Sequence, residues 1–164
     1  MKSKEEKQFE AIKELDQHLP CNQSQRTAVL KLPYRASLNE LQKLSPTALA
    51  YLGDAVYELY IRMYYLLPPQ RLNSYHRSVV EQVRAEMQAN HLQALAPHLT
   101  EIELEIVRRG RNAATRRPKR VPAETYQQAT SLETLIGYLY LTDEARLIEL
   151  LHKLNLKSDL GLNH

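Results

Sequence analysis

The stretch ALAYLGDAVYELYIRMYYLL, Ala48 to Leu67, decides how this chain folds. Leu49, Leu52, Val56, Leu59, Tyr60, Met63 and Leu67 recur at helical spacing, which reads as a long helix with these residues on its core face. Two residues inside it are locally unfavourable. Gly53 gives up roughly 1 kcal/mol relative to alanine in a helix interior. Asp54, beside it, puts a carboxylate among apolar side chains, where an unsatisfied charge is costly. Natural sequences break local rules mainly where they function, so Asp54 is the first candidate site residue.

Punctuation on both sides supports the helix. Ser45 is a good N-cap and Pro46 suits the first helical position. Pro68-Pro69 stops the helix at its far end. Beyond it the pattern predicts a second helix from about Ser74 to Leu95, ending before Pro97. Thr100 and Glu103 form a capping box for a third helix over 101–110, with Gly110 as its end. A fourth helix is expected over about Ala123 to Leu141, and Thr142-Asp143-Glu144 opens a last one, ARLIELLHKL. Upstream, 3–18 reads as a polar, weakly amphipathic helix and 19–37, with Pro20 and Pro33, as a connecting segment. The fold class is therefore all-α. The expected organisation is an N-terminal extension over 1–37, one helical domain over 38–156 and a loose tail over 157–164.

Composition excludes several function classes. An apolar content of 43% and a charged content of 25% over 164 residues are those of an ordinary globular domain. Cys21 is the single cysteine, so no intramolecular disulfide can form, which fits a reducing compartment. The start MKSKEEKQFEAIKEL has no apolar core of a secretory signal. Asp54, Glu58 and Arg62 interrupt the most apolar stretch, which argues against a membrane span. A cytoplasmic protein is expected. The six histidines show no metal-ligand spacing, so surface or core roles suit them.

Charge is unevenly distributed. The window RRGRNAATRRPKR, Arg108 to Arg120, holds six Arg, one Lys and no acid. It carries +7 while the whole chain carries +3, which leaves −4 for the rest. Charge runs are often solvated loops. Arginine predominance here favours phosphate contact, because the guanidinium fork matches phosphate oxygens. Arg108, Arg109, Arg111, Asn112, Arg116, Arg117, Lys119 and Arg120 are the candidate nucleic-acid contacts.

Glu133 is a second carboxylate in apolar company, in SLETLIGYLYL, with Gly137 one turn later on the same face. Glycine lets helix backbones approach closely, so the two glycine-bearing helices are expected to cross there and bring Asp54 and Glu133 together. Two converging carboxylates suit a hard cation such as Mg²⁺. Such an ion beside a basic groove can support phosphodiester hydrolysis. Structural readings stand beside this. Asp54 can pair with Arg62 or another cation at a helix edge. Glu133 matches a capping box with Thr130, although the helical pattern begins earlier. Glu58 can be a metal ligand, or more commonly a partner for Arg62 one turn on.

These residues resemble a family. LGDAVYELYIR (52–62) resembles the signature helix of the ribonuclease III domain, and ATSLETLIGYLYL (129–141) resembles its second active-site helix. LTEIELEIVRRGRNA (99–113), followed by Pro118-Lys119, is similar to the compact Mini-ribonuclease III branch, which lacks a separate double-stranded RNA-binding domain. This sequence runs about 30 residues beyond Glu133, so no such domain is expected in it. The resemblance covers roughly 40–155 and rests on three motifs in order. It implies an all-helical homodimer that uses Mg²⁺ to cleave double-stranded RNA in maturation of large-subunit ribosomal RNA, each subunit cutting one strand. By motif position, Asp54 matches the signature aspartate and Glu133 the metal-binding glutamate. A ribosomal protein that presents the RNA is a further expected partner.

Two positions depart from the larger ribonuclease III pattern. Ala50 stands where those enzymes have a glutamate, and Thr130 where they have an aspartate. The compact branch shares both losses, which leaves the number of metal ions open, along with whether water or Glu58 fills the vacated positions. The competing functions are a non-catalytic RNA-binding module of the same fold, associated with the ribosome, and a helical adaptor whose basic loop docks an acidic partner. The subunit face is not specified by pattern: Tyr57, Tyr60, Tyr64 and Tyr65 can belong to it or to the core.

Overall fold

The computed structural model describes residues 37–114 and 120–156. The expected N-terminal extension and C-terminal tail lie outside these residues, apart from Ser37. Arg116, Arg117 and Lys119 lie outside them too. Every regular element among the described residues is helical. A short helix α1 (Leu38–Gln42) opens with a capping box between Ser37 and Glu40. The long helix α2 (Pro46–Tyr64) begins as expected: the Ser45 hydroxyl accepts from the amide of Ala48, and Pro46 occupies the first turn.

Helix α2 ends before the two prolines. Tyr75 donates to the carbonyl of Arg62 at 2.9 Å and Gln70 to that of Tyr65 at 2.9 Å, so side chains take up carbonyls released by the last turn. The expected single helix from 74 to 95 is in fact two, α3 (Leu72–Val83) and α4 (Ala85–Leu95). Arg84 between them is extended, at φ −69° and ψ 149°. In an unbroken helix the Gln82 carbonyl would accept from the amide of Glu86. Here it accepts from the Tyr57 hydroxyl of α2 at 3.0 Å.

Helix α5 (Glu101–Ala113) starts on the expected capping box, in which Thr100 accepts from the Glu103 amide and Glu103 accepts from that of Thr100. It does not stop at Gly110 but runs on through Arg111, Asn112 and Ala113. Helix α6 (Ala123–Thr142) begins well before Thr130, so Glu133 is an interior helix residue and no capping partner of Thr130. Asp143 caps α7 (Glu144–His152), accepting from the Arg146 amide at 3.0 Å.

Helix α6 is the axis of the helical unit among the described residues. Its residues from Ala129 to Leu139 are buried except Glu133 and Tyr138, as expected of a helix apolar on every side. Its buried hydroxyls are satisfied locally: Ser131 donates to the Gln127 carbonyl and Thr134 to that of Thr130, each at 2.7 Å. Helices α2, α4 and α5 pack around it. The core joins Tyr57 and Ile61 of α2 to Leu132, Leu135, Ile136 and Leu139 of α6, and to Leu147, Leu150 and Leu151 of α7. The buried face of α2 is Leu49, Ala50, Gly53, Tyr57 and Ile61. The expected face was rotated from this, since Leu59, Met63 and Leu67 are exposed. No helix among the described residues is long and apolar enough to cross a membrane.

Candidate active site

Three glycines set the helix spacing around the site. A Cβ on Gly53 would overlap the backbone carbonyl of Glu133 and lie 2.8 Å from the amide nitrogen of Gly137. One on Gly137 would overlap the Leu49 carbonyl. Helices α2 and α6 therefore cross backbone to backbone where the sequence placed their glycines. Gly110 plays the same part for α5, since a Cβ there would meet Thr134 Oγ1 at 2.5 Å. The crossing puts Asp54, next to Gly53, beside Glu133.

Asp54 and Glu133 border one open cleft of about 300 Å³. Ala50 and Thr130 lie in the same wall, with the aromatic rings of Tyr51 and Tyr126 at its sides. Ala113 and Ala114, at the end of α5, close the remaining edge. Asp54 is exposed and is not the buried charge its apolar helix suggested, whereas Glu133 is half-buried. Partial loss of hydration in the cleft still raises the Asp54 carboxyl above its ordinary range, and the charge on Glu58 adds to the effect. Burial lifts Glu133 further, to about 7, with the charge on Asp54 second and a hydrogen bond from Gln88 opposing both. The repulsion thus falls on the more enclosed partner: Asp54 ionises first and Glu133 holds its proton longer.

Glu58 does not enter this cleft. Its carboxylate takes the guanidinium of Arg62 one turn on, with Arg62 Nε at 3.1 Å, so Arg62 is the partner of Glu58 and not of Asp54. No group of three or more His, Cys, Asp or Glu among the described residues could hold a metal ion. His91 is a core residue, 2.8 Å through Nδ1 from the Tyr57 hydroxyl. Burial lowers its pKa and keeps the ring neutral.

The basic segment leaves α5 at the rim of the cleft. Arg111 and Asn112 are exposed on its last turn, and Arg120 is exposed where the chain re-enters described structure. Arg109 is half-buried. Arg108 is exposed but already forms a bidentate pair with Glu105, both contacts at 2.7 Å. That pairing engages the guanidinium, so Arg108 is not a free phosphate ligand as it stands.

Gln88 is the residue that the sequence reading missed. It lies on the 88, 92, 95 stripe of α4 with Leu92 and Leu95 and is 2% exposed, yet it reaches Glu133. A polar side chain on an apolar helical stripe is the same signal that singled out Asp54.

Comparison with known proteins shows the family. The family model of the Ribonuclease III domain matches residues 47–144. A Mini-ribonuclease 3 of Synechocystis sp. is 58% identical over 123 residues, 72% of this chain and 86% of that protein. One from Synechococcus sp. is 59% identical over 120 residues, 73% of this chain and 87% of the relative. A crystal structure of a Fusobacterium nucleatum protein superposes with a TM-score of 0.63 at 31% identity, covering 67% of this chain and 91% of that one. The chain belongs to the Mini-ribonuclease 3 family and is an endoribonuclease of the ribonuclease III type.

Proposed function

We propose that this enzyme is a homodimer that cleaves double-stranded RNA with Mg²⁺ held by Asp54 and Glu133, and that its substrate is the precursor of large-subunit ribosomal RNA. The observation that carries the reading is the meeting of these two carboxylates in one cleft, with the basic end of α5 at its rim. The donor set fits the ion. Two like charges whose pKa values are both raised are relieved by a cation, and Mg²⁺ is usually bound by one or two carboxylates with water in its other positions. When bound, Mg²⁺ supplies activation of water and neutralisation of charge on the leaving oxygen.

The chain's own residues do the rest. Asp54 and Glu133 offer their oxygens from two helices whose spacing the glycines hold rigid. Ala50 and Thr130 leave room in the wall for water where the larger enzymes have carboxylates. Arg109, Arg111, Asn112, Arg116, Arg117, Lys119 and Arg120 grip phosphates along the duplex, and Arg108 joins them by exchanging Glu105 for phosphate. Recognition rests on A-form shape and 2′-hydroxyls more than on base sequence.

A homodimer is supported by apolar side chains left in solvent on the helix that carries Asp54. Tyr51 is 86% exposed at the lip of the cleft, and Leu59, Met63 and Tyr64 are exposed further along α2. Tyr57 and Tyr65 are buried within one subunit and are not part of that face, and Tyr60 donates to the Leu151 carbonyl. Each subunit would cut one strand, giving staggered ends. The same proposal takes 38–156 as the catalytic unit, 1–37 as an extension and 157–164 as a tail. It places the enzyme in the cytoplasm, with a ribosomal protein presenting the RNA.

The test is incubation with a ribosomal RNA precursor stem, its single-stranded halves, and each with and without Mg²⁺. Cutting of the duplex alone, and only with Mg²⁺, is expected. Tight binding of the duplex without cleavage under any divalent ion would favour the RNA-binding module instead.

A further inference from the structure

The walls of the cleft that holds Asp54 and Glu133 offer few groups that could bind a phosphate directly. Ionised carboxylates only accept hydrogen bonds, so neither can donate to a phosphate oxygen. Among the described residues that line the cleft there is no lysine, arginine, asparagine or glutamine. Its side-chain donors are four hydroxyls, those of Thr47 and Tyr51 on α2 and of Tyr126 and Thr130 on α6. They are not held alike. Thr47 is exposed and Tyr51 is 86% exposed, while Tyr126 is half-buried and Thr130 is 9% exposed. Thr130 is thus the donor whose position the fold fixes best. It stands on the most enclosed helix, one turn before Glu133 and on the same face.

The Thr130 hydroxyl also departs from its neighbours. A helical serine or threonine commonly donates to the carbonyl one turn earlier. Ser131 donates in this way to Gln127 at 2.7 Å, Thr134 to Thr130 at 2.7 Å and Thr142 to Tyr138 at 2.8 Å. Thr130 makes no such bond to Tyr126, and its hydroxyl has no other partner among the described residues. The side-chain atoms there that are both enclosed and unpartnered are Gln82 Oε1 and His91 Nε2, so the Thr130 oxygen is not sealed in and is reached from the cleft its residue lines. We infer that Thr130 is a further substrate-contacting residue, its hydroxyl donating to a non-bridging oxygen of the phosphate that is cut. This inference rests on the proposed role of Asp54 and Glu133. A neutral donor on a rigid helix suits the place. It meets charge on the phosphate oxygens without having to reorganise, and it adds no positive charge that would compete with a cation between the carboxylates.

The experiment measures single-turnover cleavage of a duplex RNA stem in Mg²⁺, with the full chain in excess, so that the rate reads the steps after binding. Thr130→Val keeps the branched shape and removes the hydroxyl. It is expected to slow cleavage at least about tenfold. Thr130→Ala serves in its place if that variant does not fold. Thr130→Ser, which keeps the hydroxyl, should cleave nearly as the parent does. Binding of Mn²⁺ alone, followed by calorimetry without RNA, should be unchanged in Thr130→Val. Ser131→Ala, whose hydroxyl is engaged by Gln127, should cleave at the parental rate. Parental cleavage by Thr130→Val, an equal loss in Thr130→Ser or in Ser131→Ala, or Mn²⁺ affinity lowered as far as cleavage would overturn the inference. Asp54→Asn separates the two levels. If it cleaves at the parental rate, the reading of the site itself is wrong; if it is inactive while Thr130→Val keeps the parental rate, only the role of Thr130 is.

Discussion

Gly53 and Gly137 touch backbone to backbone, each lying where a side chain on the other helix would have to go. A Cβ on Gly137 would come within 3.2 Å of the Gly53 nitrogen, and one on Gly53 would run into the peptide group of Glu133. The contact does two things at once. It closes the central helix pair of the core, and it fixes how far apart the Asp54 and Glu133 side chains start.

Gly53→Ala should therefore damage stability and site together. The added methyl meets backbone, which cannot rotate away, so the cost should reach about 3 kcal/mol, the upper end for overpacking. Thermal denaturation should show a midpoint lower by about 10 °C. An unchanged midpoint would mean that the helices are not packed this closely.

Metal-free stability should carry the signature of Glu133. Its carboxyl is raised to about 7 in the folded chain against 4.5 for the free side chain. The folded state thus binds the proton more tightly than the unfolded one. Stability from this group is full below about 4.5 and is lost as pH rises through 7. Glu133→Gln should then be more stable than the parent at pH 8.5 without divalent ions, by on the order of 2 kcal/mol after discounting for partial exposure. The two should converge near pH 4.5. A difference in denaturation midpoint that stays constant with pH would contradict this.

The opposite sign is expected at Glu103. Its side chain is 5% exposed and receives both Nε and Nη2 of Arg146, at 2.8 and 3.0 Å, which ties α5 to α7. The Arg146 hydrogen bonds hold its pKa below the ordinary glutamate value of 4.5. This stability is present above 4.5 and is lost as pH falls through the lowered value. Arg146→Met should cost about 3 kcal/mol at neutral pH, because it strands a buried carboxylate. The deficit measured by denaturant titration should shrink in acid. Arg108→Ala, which breaks only the exposed pair with Glu105, should change stability little.

Salt dependence of RNA binding should report the basic segment. Arg116→Ala with Arg117→Ala should weaken duplex binding and flatten the slope of log affinity against log salt by about one to two units. Arg111→Ala should lower the slope by about one. A slope that does not move would mean that these residues do not touch phosphate.

What was legible in the sequence follows physical lines. Polar punctuation was readable: Ser45-Pro46, the Thr100 and Glu103 box and Asp143 all cap the helices they announced. So was the pairing of Gly53 with Gly137, because glycine in an apolar helix has few other uses. The core face of α2 was harder. With Leu52, Val56, Leu59 and Met63 alternating with Leu49, Tyr57 and Ile61, the helix is apolar nearly all round, and periodicity cannot choose between faces. The glycine makes the choice, by marking the side where a second backbone arrives. The break at Arg84 carries no Gly or Pro, and the freed Gln82 carbonyl is taken up by the distant Tyr57 hydroxyl, so no local pattern could foretell it. The convergence of Asp54 and Glu133 was anticipated, but their unequal enclosure was not, because that depends on what packs beside each helix.

The central claim is that Asp54 and Glu133 form the cleavage site, and the Asp54→Asn protein tests it most directly. Cleavage of a ribosomal RNA precursor stem in Mg²⁺ and affinity for the same stem should be measured side by side with the parent. Unchanged fold and near-parental affinity are expected, with cleavage reduced at least about a thousandfold, the scale of losing a principal electrostatic group. Cleavage at the parental rate by a folded Asp54→Asn protein would contradict it.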